Sequence, residues 1–348
     1  MRLLRGATVA CLALLMGGCQ LGYYSQAAKG HLWLMGQREP LEAVLADPQT
    51  PPQIADSLQF SQQVVRFAGD QLALPAEDVY HQYVALEQDA VVWNVLAAPA
   101  WSLTPKTWCY PLIGCVSYRG YFQRQAAEKT ATKLAEQGLD TYVGGAIAYS
   151  TLGWFADPLT TPMLQRSEPA LAELLIHELA HRRLYIKNDT RFNESLATLV
   201  GREGAVDFFA ASGEPLPTDF WQRREQVRQA FMAIVTDTRE ALKQLYTAEQ
   251  DEAVLAREKS RIQQQARERF AREQQSLPAL AGYRGFFDGP LNNAQLNGVS
   301  DYNDHVPAFA RLLEQCRRDW DCFWQQVENL AELTPPQRNN ALEGLTWN

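Results

Sequence analysis

The stretch Leu174–Val200, "LLIHELAHRRLYIKNDTRFNESLATLV", decides how the rest of the chain is interpreted. Within it, His177 and His181 flank a glutamate in the order H-E-x-x-H. On a helix, residues four apart lie on one face, one turn apart, so both imidazoles can reach one metal ion. Glu178, between them, is badly placed to bind the same ion. The alternative interpretation is an ordinary amphipathic helix that carries two histidines.

A catalytic zinc ion needs a third protein ligand and one open position. Glu194, in the "NES" that follows, is the candidate, and two histidines with one glutamate are the ligand set of thermolysin-like enzymes. The carboxylate of Glu178 would then approach a water on the zinc ion and act as the general base. Alternatively, Glu194 is an exposed residue that the positive end of a helix favours.

The elements around this stretch are predicted to be two helices. The first begins after Ser167, which is a suitable cap, and carries apolar residues at intervals of three and four. Lys187-Asn188-Asp189 interrupts it, and a second helix begins at Asn193. Glu173 lies one turn before His177, where it either orients that imidazole or is a solvated helix residue.

The composition is that of a globular protein. The chain has 348 residues, 46% of them hydrophobic and 21% charged, which suits one large domain or two small ones. The net charge of -8 argues against nucleic acid as a partner, because phosphate binding needs a basic surface.

The N-terminus, "MRLLRGATVACLALLMGGC", has the features of a signal segment over residues 1–18. Its apolar run, Ala7–Met16, is shorter than the ~20 residues that span a bilayer. Small residues before Cys19 resemble a bacterial lipobox, which implies lipidation of Cys19 and a membrane anchor. Gln20, rather than aspartate, implies sorting to the outer membrane, facing the periplasm. A signal peptide that is simply cleaved is the alternative.

Six cysteines fit the same compartment. One lies in the signal segment and one is Cys19. The remaining four form two pairs, Cys109 with Cys115 and Cys316 with Cys322, and the periplasm permits disulfides. Two local disulfides are the interpretation favoured here, and a four-cysteine zinc site or free thiols are the alternatives.

The periodicity along the chain predicts a mainly helical α+β fold. Helical patterns dominate up to about residue 88, strand patterns follow, and a long charged helical hairpin comes near the end. The C-terminal part combines loop signals with a terminal helix that carries both Cys316 and Cys322. The expected divisions are a signal segment (1–18), an N-terminal mainly helical region (19–100), a catalytic core (101–219), the hairpin (220–277) and a C-terminal part that closes the catalytic domain (278–348).

Two resemblances extend these inferences. "HELAH…FNESLATLV" resembles the metal-binding helices of the gluzincin aminopeptidases, whose third ligand lies in an N-E-x-x-A-type sequence. "PKTWCYPLIGCVSYRGYF", "YVGGAIAYSTLGWFADP", "ELLIHELAHRRLYIKNDTRFNESLATLV" and "LNNAQL…VPAF" together resemble the bacterial family named predicted aminopeptidases, many of them assigned as lipoproteins. The resemblance implies a zincin-like core with a long helical hairpin and one zinc ion, bound by His177, His181 and Glu194.

One departure from the gluzincin pattern concerns the substrate's amino group. In those enzymes a G-x-M-E-N strand supplies a glutamate that binds it. The corresponding strand here, with Gly144, Gly145 and Tyr149 as expected substrate-binding residues, has no acidic residue. It could still pair with a peptide backbone by strand addition. Asp157 is another candidate for the amine, and cleavage at an end or inside a peptide remains open.

A donor for the developing oxyanion is also expected. Tyr302 is the favoured candidate, in a loop after the hairpin, with Tyr149 and His305 as alternatives and packing as the ordinary role of a tyrosine. His31 and His81 lack a partner motif and are interpreted as structural.

The sequence therefore predicts a zinc peptidase, with aminopeptidase activity implied by the resemblance, peptide as substrate and a lipid anchor at Cys19. One alternative is a non-catalytic lipoprotein scaffold on the same fold. Another is a zinc hydrolase that acts on cell-wall peptides.

Overall fold

The computed structural model describes residues 22–110, 114–148, 156–213, 216–217 and 219–346. Within them the chain is mainly helical with three small sheets, in agreement with the expected α+β class. The signal segment, Cys19 and Tyr149 lie outside the described residues.

The helices follow one another along the whole chain. They are α1 (residues 22–36), α2 (Leu41–Ala46), α3 (Pro52–Leu72), α4 (Arg124–Ala135), α5 (Thr161–Leu164), α6 (Glu168–Arg183), α7 (Thr190–Ala211), α8 (Phe220–Thr247), α9 (Glu252–Ser276), a 3-10 helix (Pro278–Tyr283), α10 (Arg284–Phe287), α11 (Asn293–Asn303), α12 (Val306–Gln315), α13 (Trp320–Ala331) and α14 (Pro335–Thr346).

The strands are short. They are β1 (Glu39–Pro40), β2 (Gln82–Val84), β3 (Val92–Pro99), β4 (Trp108–Tyr110), β5 (Gly114–Val116), β6 (Tyr118–Tyr121), β7 (Leu139–Ala146) and β8 (Leu159–Thr160). One sheet has the order β1-β2-β8, with β2 and β8 parallel. A second, antiparallel sheet has the order β6-β3-β7, and β4 and β5 form a hairpin.

The main hydrophobic core surrounds α6 and α7. It also includes α2 and α3 from the N-terminal part and α12, α13 and α14 from the C-terminal part. Leu175, Ile176 and Leu179 of α6 are fully buried in it. The proposed division of the chain into regions stays a prediction, but this core draws its side chains from three of them.

The charged segment after residue 219 forms a helical hairpin, α8 and α9, with a hydrophobic cluster of its own. A buried ion pair joins this hairpin to the β6-β3-β7 sheet. Lys259 Nζ of α9 lies 2.5 Å from Asp140 Oδ2 of β7 and donates to the carbonyl of Ala100 at 2.9 Å. Because both partners are nearly buried, the contact fixes α9 against the sheet.

Helices α6 and α7 approach closely because α7 carries glycine where they meet. A Cβ added to Gly201 would lie 2.6 Å from the carbonyl oxygen of Glu173 and 3.1 Å from Cβ of His177. A backbone oxygen cannot move aside without moving its helix. The absence of a side chain at Gly201 is therefore what allows the two helices to bring their polar residues together.

The ends of these two helices differ from the sequence prediction. α6 ends at Arg183 rather than near Ile186, since Leu184 already has extended backbone. α7 begins three residues before Asn193, because the Asp189 side chain accepts the amide hydrogen of Phe192 and caps the helix.

The C-terminal part is more helical than its glycines and asparagines suggested. The Asn292 side chain accepts from the Gln295 amide and starts α11, so Tyr302 lies near the end of a helix and not in a loop. The prediction of a single terminal helix with two cysteines was wrong: Cys316 caps the end of α12, and Cys322 lies in α13.

Both cysteine pairs are joined as disulfides, Cys109 with Cys115 across the β4-β5 hairpin and Cys316 with Cys322 across the turn between α12 and α13. None of the described helices has the length and apolar character needed to cross a membrane.

We expect Gly201→Ala to lower the free energy of unfolding by about 1–3 kcal/mol, because the added methyl group forces α6 and α7 apart. Gly344→Ala in α14 is the matched control, since a Cβ there meets nothing within 4 Å. Urea denaturation of both variants would test this. Equal stability of Gly201→Ala and the wild type would contradict the role of the close approach.

Candidate active site

Three side chains from α6 and α7 converge on one point. His177 Nε2 and His181 Nε2 lie 3.1 Å apart, and Glu194 Oε2 lies 3.5 Å from the first and 3.4 Å from the second. Among the described residues, these three form the one cluster of three or more histidine, cysteine or carboxylate groups arranged to hold a metal ion. The two helices thus supply the predicted ligand set.

The position of Glu194 depends on the loop that joins the two helices. The buried Asn193 side chain donates to the carbonyl of Ile186 and accepts from its amide, both at 2.8 Å. Arg338 of α14 binds the second carboxylate oxygen of Asp189, at 2.7 and 3.0 Å. The start of α7 is therefore held from both sides, and Glu194 follows within its first two turns.

The three atoms have separations close to those around a tetrahedral zinc ion. Zinc–ligand bonds of about 2.0–2.2 Å place the ligand atoms about 3.3–3.6 Å from one another. Both distances to Glu194 lie in this range, and the two imidazole nitrogens, 3.1 Å apart, are slightly closer. Glu194 Oε2 is buried and has no hydrogen-bond partner, although two imidazole nitrogens face it. A buried carboxylate oxygen left in this way is costly unless a cation binds it. The residues present fit a zinc ion.

Charge and burial shift the pKa of each acidic group. Burial alone would raise the pKa of Glu194, but the two imidazoles outweigh it and hold the pKa at about 2, so the carboxylate is ionised. Burial raises the pKa of Glu178, the two imidazoles oppose this, and the charges of Glu194 and Asp157 add to it. A raised pKa makes Glu178 a stronger base, as a general base requires.

This cluster opens onto a cavity of about 1190 Å³. Its wall comes from α1, the β6-β3-β7 sheet, the β4-β5 hairpin, α6, α7, the start of α8, the 3-10 helix and α11. The predicted site residues that line it are His177, Glu178, His181, Glu194, Gly145 and Tyr302. The cavity is large enough for a short peptide.

Two tyrosines lie beside the cluster. The ring of Tyr302 is stacked near that of His177, with the centroids 6.0 Å apart, and its side chain is 38% exposed. Tyr185, which sequence reasoning missed, also lines the cavity. Burial first, and then the charge of Glu194, raises the pKa of Tyr185 to about 12. Its signal in the sequence was its position four residues after His181.

Strand β7 contributes to the wall through its C-terminal end. Gly145 lines the cavity and is exposed, whereas Gly144 does not line it. A Cβ at Gly145 would come within 2.9 Å of Ala90. In the described part of the chain, β7 pairs with β3 alone and forms an edge of its sheet. Substrate binding by strand addition at this edge stays a prediction.

The other residues considered in the sequence analysis do not all have the positions or contacts expected of them. His305 begins α12, where its amide donates to Ser195, and it does not line the cavity. Asp157 is buried and does not line the cavity. Glu173 contacts two arginines rather than His177. His31, interpreted as structural, lines the cavity from α1.

One of three comparisons with known proteins identifies the family of this chain. The family model described as "Putative aminopeptidase" matches residues 22–342. The chain belongs to this family. No curated protein and no solved structure matches the chain. The matched range includes α6, α7 and all the described residues that line the cavity.

We expect Asn193→Ala to weaken zinc binding about 10- to 100-fold, because the loop that positions Glu194 loses both of its hydrogen bonds. It should also lower the free energy of unfolding by about 1–3 kcal/mol. Asn292→Ala is the control, since that side chain also makes two hydrogen bonds, at the start of α11. Titration with zinc would compare them. The same zinc affinity in both variants would exclude a positioning role for Asn193.

Proposed function

We propose that this protein is a zinc-dependent peptidase. The convergence of His177, His181 and Glu194 on one point of a peptide-sized cavity, with Glu178 beside them, carries the proposal. Membership of the family supports peptidase activity in general terms. The zincin-like character of the core and the dependence on zinc are parts of this proposal.

The residues have distinct roles in the proposed reaction. His177, His181 and Glu194 would hold the ion and leave one position open. Zinc, when bound, supplies Lewis-acid polarisation of a carbonyl and makes a water more acidic. Glu178 takes a proton from the attacking water and passes it to the leaving amine, a transfer suited to a carboxyl group whose pKa is raised. Tyr302 donates a hydrogen bond to the oxyanion.

Location and anchoring form a second part of the proposal. A lipid on Cys19 would place the protein at the outer membrane, facing the periplasm. The two disulfides support an oxidising compartment. Cys19 is three residues before Gly22 of α1 in the sequence, so α1, which lines the cavity, would lie close to the anchor.

We expect the protein beginning at Gln20 to contain about one zinc ion per chain, and His177→Ala and Glu194→Ala to lose it. Elemental analysis after purification without chelators would measure this. Glu178→Gln should keep the metal and lose activity about 10²- to 10⁴-fold, because only the base is removed. Glu168→Gln, at the exposed start of α6, is the control. A wild type that stays metal-free after zinc loading would exclude the peptidase and favour a scaffold.

We expect Tyr302→Phe to lower kcat about 100-fold with zinc content and KM unchanged, because the hydroxyl acts only as the oxyanion forms. Tyr185→Phe is the matched comparison and should leave kcat nearly unchanged. Steady-state kinetics on a zinc-loaded sample would separate the two tyrosines. A large loss of kcat in Tyr185→Phe, with little change in Tyr302→Phe, would identify Tyr185 as the donor instead.

A further inference from the structure

The charges of the cavity wall show which end of a peptide suits it. The carboxylates among the described lining residues are Glu173, Glu178 and Glu194. The last two belong to the metal and base group. Glu173 Oε2 accepts from Arg224 Nη2 at 2.5 Å, and Arg202 Nε lies 3.5 Å from its other oxygen. In the described wall, therefore, each carboxylate is already committed, and none is left to pair with an ammonium group of a substrate.

Away from His177, His181 and Glu194, the described wall of the cavity has more arginines than carboxylates. Arg166, Arg202 and Arg224 line the cavity, against the one paired carboxylate of Glu173. Arg202 donates through Nη2 to Asn303 at 3.0 Å, but its Nη1 is buried without a hydrogen-bond partner. A buried donor left unpaired is costly, and a small rotation towards a ligand carboxylate would relieve that cost. A guanidinium group also matches a carboxylate with two parallel hydrogen bonds.

The spacing along the helices places this group close to the metal cluster. Glu173 lies one turn, about 6 Å, before His177, and Arg202 lies eight residues, about 12 Å, after Glu194. Gly201, the neighbour of Arg202, packs directly against Glu173 and His177. Each residue of an extended peptide spans about 3.3–3.6 Å. Both guanidinium groups contact Glu173, and the 6 Å from Glu173 to His177 corresponds to about two residues of such a peptide.

Resting on the proposed peptidase function, we propose that Arg202 and Arg224 bind a carboxylate located one or two residues after the cleaved bond. A free C-terminus of a short peptide supplies such a group, and so does an acidic side chain at the same position. Substrate recognition then depends on this carboxylate rather than on the free amino end.

The test uses one alanine tetrapeptide in four forms: unmodified, N-acetylated, C-terminally amidated, and amidated with aspartate at the last position. Chromatography gives kcat/KM for the zinc-loaded protein. We expect amidation to lower kcat/KM about 10- to 100-fold, as loss of a charge-assisted hydrogen bond does, and acetylation to change it little. Restored cleavage of the aspartate peptide would identify a side-chain carboxylate as the source, and continued loss would identify the C-terminus.

Arg202→Gln and Arg202→Lys should both reduce the ratio of rates for the free acid and the amide, with the glutamine variant bringing it close to one. Because each ratio is taken on one sample, partial unfolding does not alter it. Arg223→Gln is the control, since Arg223 is paired with Asp219 and does not line the cavity. A preference that persists in both Arg202 variants, or loss of cleavage on acetylation alone, would overturn the proposal.

Calorimetric binding to the inactive Glu178→Gln variant separates this proposal from the peptidase proposal. Tighter binding of the free acid than of the amide, abolished by adding Arg202→Gln, supports the carboxylate site even if no peptide is cleaved. Equal binding of the two peptides overturns it even if the wild type is an active peptidase.

Discussion

The close crossing of α6 and α7 is the constraint on which the rest of the structure depends. Two imidazoles from one helix and a carboxylate from the next must face one another within 3.1–3.5 Å, in a buried place where unpaired polar atoms are costly. Gly201 permits the approach, since any side chain there would meet the backbone of α6. The core packed around both helices then holds them at that distance.

Distant parts of the chain support this crossing. Arg338, from the C-terminal helix, pairs with Asp189, the capping residue of α7. The Asn193 side chain makes hydrogen bonds to both the amide and the carbonyl of Ile186 in the loop. Asn188 in the same loop accepts the amide of Cys115, which ties the disulfide-linked hairpin to it. The short connection between α6 and α7 is thus held by two remote regions and by Asn193 at the start of α7, and a rigid connection keeps side chains of a site preorganised.

The cavity has two chemically different parts. Around His177, His181 and Glu194, the cavity is lined by Glu178 and by tyrosines. One helical turn away, arginines exceed carboxylates at the base of the α8–α9 hairpin. The ion pair between Lys259 and Asp140 fixes α9 against the sheet that forms another wall. The hairpin therefore contributes to the shape and charge of the cavity through its base.

The sequence by itself determined the local features: the i, i+4 spacing of His177 and His181, the helical hairpin and the pairing of the cysteines, because each depends on residues close together in the chain. The helix that carries Tyr302 begins at a local cap, Asn292, which the sequence analysis missed. The sequence could not bring Tyr185 and His31 to the cavity or separate His305 from it, since these depend on how remote elements pack. The partners of Glu173 were hidden for the same reason. Arg202 and Arg224 are 29 and 51 residues away in the chain, and only the packing of α6, α7 and α8 makes them neighbours.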